Sequence, residues 1–339
     1  MRSAITTREA GSQEGTAPSI ARHRSARTRN VLVQSLGISA FLVILIGVFS
    51  SLSPAFISSG NAIGILTGIS FIGLVALGQT LVIIAGGFDL SVAGVAPLAA
   101  VVFAELVNTG TSVLLSILGA VLVGVLVGVI NGVIVTKGKI NPLITTLGML
   151  SISGGLAFTL AEGQSIPIAN LTAGFLADTD IGLVPNQVWL TGSAFVAITV
   201  VLRFTTYGRS LYALGGNREA SWLAGMRVDA ITISVYAFSG TLAAVGGVIL
   251  ASQLLAGDGN LGTTAALLSV AAVVLGGGSL KGGSGGALGT LAGVLVLGVL
   301  ANGLTLLHVS AFYQQIVTGV VLLAAVGLSN LRTQVTASS

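Results

Sequence analysis

Long apolar stretches are the feature of this sequence that most constrains its fold. Ten of them lie at 31–52, 61–85, 90–107, 112–136, 142–161, 187–203, 230–254, 261–277, 286–307 and 311–329. A helix of about 20 residues crosses the roughly 30 Å hydrocarbon core of a bilayer. Only helices and closed barrels satisfy their backbone hydrogen bonds there, and barrel strands are short segments of alternating hydropathy. The continuous stretches therefore predict an all-α polytopic membrane protein with about ten transmembrane helices.

Composition supports this class and excludes several others. Hydrophobic residues make up 53% of the chain and charged residues only 7%, whereas soluble domains carry about 25% charged residues. The sequence has no Cys and two His, which excludes disulfides and makes a metal site improbable. The net charge is +4, but the cations are scattered beside the apolar stretches. They therefore indicate a lipid bilayer and no nucleic acid as the partner.

Lys and Arg occupy alternate gaps between the apolar stretches, and this predicts the orientation. All 14 lie on one side of that alternation, namely within 1–30, at Lys137, Lys139, Arg203, Arg209, Arg218, Arg227 and Lys281, and at Arg332. The gaps on the other side hold acids and no cation: Glu162, Asp178, Asp180 and Asp258. Because cytoplasmic loops carry the excess of Lys and Arg, we expect both termini to be cytoplasmic.

The chain divides into three parts by composition. We expect residues 1–30 to form a disordered basic cytoplasmic tail, 31–330 the transmembrane domain, and 331–339 a short cytoplasmic tail. The stretch 31–52 is longer than the apolar core of a signal peptide and lacks a good cleavage site after it. We therefore expect this stretch to be retained as the first span.

A weak internal repeat relates the two halves of the chain. A shift of 171 residues places Asn131 and its following glycine on Asn302 and its following glycine. Five spans separate the copies, and an odd number gives opposite topology, so we expect two inverted five-helix repeats, as in many transporters. The short spans 90–107, interrupted by Pro97, and 261–277 occupy matching positions and predict a transport pathway. The alternative is that the glycines around them only allow close helix packing.

The segment 86–92 interrupts the chain between the second and third stretches. Gly86 and Gly87 permit a tight backbone turn, and Asp89 ahead of Leu90 predicts a helix N-cap. One interpretation is a structural cap without a ligand. The other is a functional inner gate, because a carboxylate near the membrane is costly and is kept for a reason. The inner-gate residues are Gly86, Gly87, Asp89 and Ser91.

The long gap 204–229 contains a compact segment that predicts a docking helix. Asn217 is a good N-cap, Glu219 suits the first turn, and Gly225 ends the helix. Its small apolar face consists of Ala220, Leu223 and Ala224. This face fits a knob that inserts into a partner, and a solvated helix at the membrane surface is the alternative. The docking loop comprises Gly215, Gly216, Asn217, Arg218, Glu219, Ala220 and Gly225.

No catalytic motif is present in the sequence. The glycine-rich segment 274–286 resembles a phosphate loop, but Lys281 is followed by Gly and no strand precedes it. We therefore expect a tight cytoplasmic turn there. We expect no ATPase site, no metal and no cofactor on this chain.

Polar residues inside the apolar stretches suggest a path for a solute. Hydrogen bonding between helices accounts for most such residues, and a few would suit a neutral, hydroxyl-rich solute. The stretches contain no pairs of charged residues, which proton- and sodium-coupled carriers usually need, so an external energy source is favoured. The candidate path residues are Gln79, Asn131, Thr145, Thr146 and Asn302.

Three motifs in order resemble the permease subunits of ribose-type ABC importers. They are GGFDLSV at 86–92, KGKINPLITTLGM at 137–149 and GGNREA at 215–220, and the resemblance covers about 31–330. Two positions depart from the family pattern. Ala93 stands where glycine is usual, and Phe88 stands where isoleucine is commoner.

The resemblance implies a multi-pass subunit of the bacterial inner membrane that imports a monosaccharide or similar small solute by alternating access. It also implies a second permease copy, identical or similar, an extracytoplasmic sugar-binding protein, and ABC-type ATPase subunits that bind ATP and Mg²⁺. The pair Glu219 and Ala220 would correspond to the coupling helix that inserts into the ATPase. The alternative is a stand-alone facilitator or ion-coupled secondary carrier for a small neutral solute.

Overall fold

The computed structural model describes residues 37–178, 182–321 and 323. The helices are α1 (Gly37–Leu52), α2 (Ser59–Ile84), α3 (Val92–Asn108), α4 (Val113–Thr136), α5 (Pro142–Leu160), α6 (Asn186–Phe204), α7 (Thr206–Gly216), α8 (Arg218–Leu223), α9 (Val228–Leu254), α10 (Ala265–Leu275), α11 (Ala287–Leu306) and α12 (311–321). Two short strands, β1 (Ile166–Pro167) and β2 (Ala256–Gly257), pair antiparallel, with Ile166 opposite Gly257. The predicted tails at 1–30 and 331–339 lie outside the described residues.

A helix lies in each of the ten predicted apolar stretches. Six helices in the described part of the chain are long and apolar enough to cross a membrane: α2, α4, α5, α6, α9 and α11. The helices α1, α3 and α10 are apolar but shorter. The prediction of an all-α polytopic membrane protein is confirmed, while the count of ten crossings stays a prediction. Of the remaining three helices, α7 and α8 lie in the predicted cytoplasmic gap, and α12 lies in the last apolar stretch.

The helices α2 and α9 form the centre of the bundle. They contact each other, and α9 also contacts α3 and α4, while α2 contacts α10 and α11. A two-fold relation of α2 to α9, α3 to α10 and α4 to α11 would produce this arrangement. The same correspondence follows from the shift of 171 residues. The inverted repeat itself stays a prediction.

Glycines set the distance between α4 and α9. A Cβ on Gly124 would overlap the carbonyl oxygen of Gly240, and a Cβ on Gly128 would overlap that of Tyr236. The two backbones therefore touch, as small residues allow in membrane proteins. Along this interface the glycines serve close helix packing.

Candidate functional site

The connection between α2 and α3 is a tight loop in which Asp89 and Ser91 are buried. Gly86 has a φ of +82°, in the left-handed region that glycine adopts without strain. Gly87 leaves room for Tyr236, because a Cβ on this glycine would lie 2.7 Å from the phenol oxygen. That phenol donates a hydrogen bond of 3.2 Å to the carbonyl oxygen of Phe88. The two glycines form the predicted turn, and Tyr236 ties the loop to α9.

Asp89 is fully buried in this loop and bonds within it. Its Oδ1 accepts hydrogen bonds from the backbone N–H of Ser91, at 3.0 Å, and from the hydroxyl of the same residue. The helix α3 begins only at Val92, with Ser91 as the residue before it. The prediction that Asp89 caps this helix is therefore wrong. The physical reason is that Asp readily bonds the N–H two residues ahead, which closes a turn before the helix starts.

Ser91 also connects the loop to α4. Its Oγ accepts a hydrogen bond of 2.8 Å from Nδ2 of Asn131, which is fully buried. A chain of hydrogen bonds from Asn131 through Ser91 to Asp89 therefore joins α4 to the start of α3. Two sets of residues that the sequence analysis treated separately, the inner gate and the candidate path, meet here.

Several buried polar atoms near this chain have no hydrogen-bond partner among the described residues. They include Asp89 Oδ2, Asn131 Oδ1 and Ser239 Oγ. Ser239 belongs to α9 and lies beside the Asp89 carboxyl group. An unpartnered buried polar group costs about 1–3 kcal/mol. Asp89 and Ser239 therefore interact with each other, while Asn131 Oδ1 has no partner among the described residues.

Three glycine-rich segments meet at the end of α2. The carbonyl oxygen of Ile84 accepts a hydrogen bond of 2.9 Å from the N–H of Gly283, and Gly215 lies against the same oxygen. The hydroxyl of Tyr212 donates to the carbonyl oxygen of Gly285 at 2.9 Å. Burial raises the pKa of this phenol, so it remains a donor. The inner-gate motif, the docking loop and the turn within 276–286 thus form one cluster.

A short helix, α8, lies where the docking helix is predicted, and its docking role stays a prediction. The Oδ1 of Asn217 accepts a hydrogen bond of 2.9 Å from the N–H of Ala220, as an N-cap should. Beyond its end, Gly225 has a φ of +79°. Trp222 and Leu223 project from the helix and are 66% and 71% exposed. A hollow of about 330 Å³ beside Trp222 is lined by Arg218, Glu219, Val228 and Asp229.

The candidate path residues lie mostly inside the protein. Four of the five are buried, namely Gln79, Asn131, Thr145 and Thr146. The fifth, Asn302, is half-buried, and its Nδ2 donates a hydrogen bond of 2.9 Å to Oδ1 of Asn61. This burial favours roles in helix packing. The lining of a path by these residues stays a prediction.

The helix α5 has an exposed stripe of small and polar residues that sequence reasoning missed, flanked by exposed large apolar side chains such as Ile152. Gly148, Ser151, Gly155 and Thr159 are all exposed, and a Cβ on either glycine would meet nothing within 4 Å. The two hydroxyls bond carbonyl oxygens of their own helix. Lipid-facing helices normally present larger apolar side chains, so this face suits a protein or a solute. These four residues are three or four positions apart, which places them on one side of a helix, and this spacing was the signal available in the sequence.

Known proteins resemble this chain over most of its length. Residues 61–326 match the model of a family described as the permease component of branched-chain amino acid transport systems. The chain is 40% identical over 298 residues to the ribose import permease protein of Bacillus subtilis (strain 168), covering 87% of this chain and 92% of the relative. It is 39% identical over 273 residues to the L-arabinose transport system permease protein of Escherichia coli (strain K12), covering 80% and 83%. No solved structure gives a significant match.

Fold and matches together define a membrane-embedded transport permease. The chain belongs to the permease-component family that its residues 61–326 match. Its relatives also confirm the resemblance to ribose-type ABC importer permeases that the three motifs carry. The family consists of transport subunits, which agrees with the expectation that catalysis is not the task of this chain.

Proposed function

We propose that this chain is the transmembrane permease subunit of an ABC importer in the bacterial cytoplasmic membrane, and that it moves a monosaccharide. The family model is named after amino acid transport, but the relatives at about 40% identity are ribose and L-arabinose permeases. Ribose and arabinose are both pentoses. A pentose is therefore the first solute to test.

The observation that carries the proposal is the placement of α8. This helix exposes Trp222 and Leu223, and the chain just before it packs at Gly215 against the end of α2. A partner bound to α8 would therefore act directly on the connection that holds Asp89. The proposed partner is an ATPase subunit that binds ATP and Mg²⁺. This chain would contribute the helix that transmits the movement and the path for the solute.

We place the solute path between two permease copies. The polar side chains inside one copy are mostly buried in its packing, whereas α5 exposes a small and polar face. A second copy, identical or similar, facing α5 would enclose hydroxyls and backbone carbonyls between the two. Such a lining offers hydrogen bonds without charge, which suits a neutral polyhydroxy solute.

The orientation completes the proposal. The distribution of Lys and Arg supports cytoplasmic termini, and with that orientation α8 would lie on the side where ATP is available. The opposite side, with the paired strands β1 and β2, would receive solute from an extracytoplasmic sugar-binding protein. We expect that protein to set solute specificity, since the path residues are neutral.

A pull-down from the native membrane tests the partner. The tagged chain is purified in mild detergent, and the eluate is examined by mass spectrometry and for ATP hydrolysis. We expect a Walker-containing subunit, and we expect Glu219→Arg to stay in the membrane while ATP-driven uptake falls by about tenfold or more. The control is Glu162→Arg, the same charge reversal at an exposed acid on the opposite side, which should leave ATPase recovery unchanged.

Proteoliposomes test the transport step. With the ATPase and the binding protein present, radiolabelled ribose or L-arabinose should accumulate only when ATP is supplied. Flux through the chain alone, without ATP, would contradict the importer and would identify a facilitator or an ion-coupled carrier.

A further inference from the structure

Asp229 joins three helices at one end of the bundle. Its Oδ2 accepts a hydrogen bond of 2.7 Å from Nζ of Lys137, and its Oδ1 lies 3.6 Å from Nη2 of Arg218. Lys137 directly follows α4, Arg218 begins α8, and Asp229 lies in the first turn of α9. Arg218 also donates to the hydroxyl of Thr232 in α9, at 3.3 Å. One carboxylate therefore bridges cations from two other helices.

This arrangement is specific to Asp229. Within the described part of the chain, these two contacts are the only ion pairs within 4.0 Å. Lys139 and Arg209 belong to the same predicted cytoplasmic side and form no ion pair with any described residue. Glu219, the neighbouring acid, is exposed and also forms none. Lys139 also acts on Asp229 electrostatically, but among the described residues only Lys137 and Arg218 come within 4.0 Å of its carboxylate.

The chain just before α8 packs at Gly215 on α2, but α8 itself packs only slightly on α9. It has six residues, and Gly225 follows it in a left-handed conformation. The helices α4 and α9, in contrast, touch through the backbone at Gly124 and Gly128 and pack as one unit. The ion pairs connect the short projecting helix to this closely packed pair.

We propose that Asp229 is a positioning residue that makes α8 move with α4 and α9. A displacement of α8 by its partner would then also displace α4 and α9, instead of changing only the backbone conformation on either side of α8. The inference rests on the proposed docking of an ATPase at α8, and it adds the contacts that transmit the movement. Exposed ion pairs contribute little to stability. Loss of these ion pairs should therefore leave the permease folded, with α8 less firmly connected to α4 and α9.

The test compares three variants of the complete importer, reconstituted with its ATPase and binding protein. Asp229→Lys breaks both ion pairs. It should keep ATPase recovery and ATP hydrolysis within about twofold, while the solute imported per ATP falls roughly three- to tenfold. The double variant Lys137→Asp/Asp229→Lys re-forms one pair in reverse and should recover about half of the lost coupling. Arg209→Glu, a charge reversal at a cation without an ion pair among the described residues, should match the unmodified importer.

Three results would overturn the inference. They are unchanged solute per ATP in Asp229→Lys, no recovery in the double variant, and a loss explained entirely by reduced ATPase recovery. Thermal unfolding of the purified permease checks folding, and Asp229→Asn replaces the Lys variant if that variant is unstable. If the unmodified chain recovers no ATPase at all, the proposed function fails, which is a separate outcome from failure of the bridge.

Discussion

The Cα of Gly215 packs directly on the carbonyl oxygen of Ile84, so closely that a Cβ has no room. The same oxygen accepts the N–H of Gly283. The docking loop therefore rests on the end of α2, next to the turn that leads to Asp89. Two motifs that are far apart in the sequence form one unit, and a movement of the loop would displace the turn.

Gly215→Ala should damage this unit. The added methyl group would overlap backbone atoms that cannot move aside as a flexible side chain would, and such overpacking costs about 1–3 kcal/mol or more. Gly216→Ala is the matched control, because a Cβ there meets nothing within 4 Å. The unfolding temperature in detergent and the rate of ATP-driven uptake should both fall in Gly215→Ala and stay unchanged in Gly216→Ala. Equal behaviour of the two variants would count against the contact.

Asn131→Asp should destabilise the protein more than Asn302→Asp. The first change removes the donor to Ser91 and places a second carboxylate beside Asp89 in a fully buried site, at a cost of about 3 kcal/mol or more at neutral pH. Asn302 is half-buried as a residue, although its Oδ1 is buried, so its new charge should cost less than the one at the fully buried Asn131. The two positions are equivalent in the predicted repeat. Equal losses in thermal stability would contradict the difference in environment.

Trp222→Ala should weaken ATPase binding without changing permease stability. An exposed tryptophan on a docking helix is a typical anchor of an interface, and its truncation commonly reduces affinity by about tenfold or more. Co-purification of the ATPase measures the effect. Leu183→Ala is the control, since this leucine is also largely exposed but lies in the predicted extracytoplasmic gap. Full ATPase recovery with Trp222→Ala would remove this residue from the docking surface.

A cysteine at position 151 should be accessible to water-soluble reagents. The chain has no native Cys, so Ser151→Cys introduces a single thiol on the exposed face of α5. We expect labelling by a charged maleimide and inhibition of uptake after labelling. Leu118→Cys, on an exposed apolar face of α4, should stay unlabelled in the membrane. Absence of labelling at position 151 would place this face of α5 against lipid.

Local features of the protein could be predicted from residue type. A helix lies in each apolar stretch, Asn217 caps α8, and Gly86 turns the chain, because each depends on interactions within a few residues. The error at Asp89 was also local. Asp89 and Ser91 are both good helix starters, and residue type alone does not decide which of them stands at the boundary.

The sequence by itself determined that this chain is a helical membrane protein of the permease class, because hydropathy and short motifs are written in consecutive residues. Only the tertiary structure decided which side chains meet. Most spans are apolar on all sides, so hydropathy does not reveal how each helix is rotated about its axis. That rotation buries Asn131 against Ser91 and exposes Ser151. The bridge at Asp229 likewise required three helix ends to be brought together by packing between distant segments.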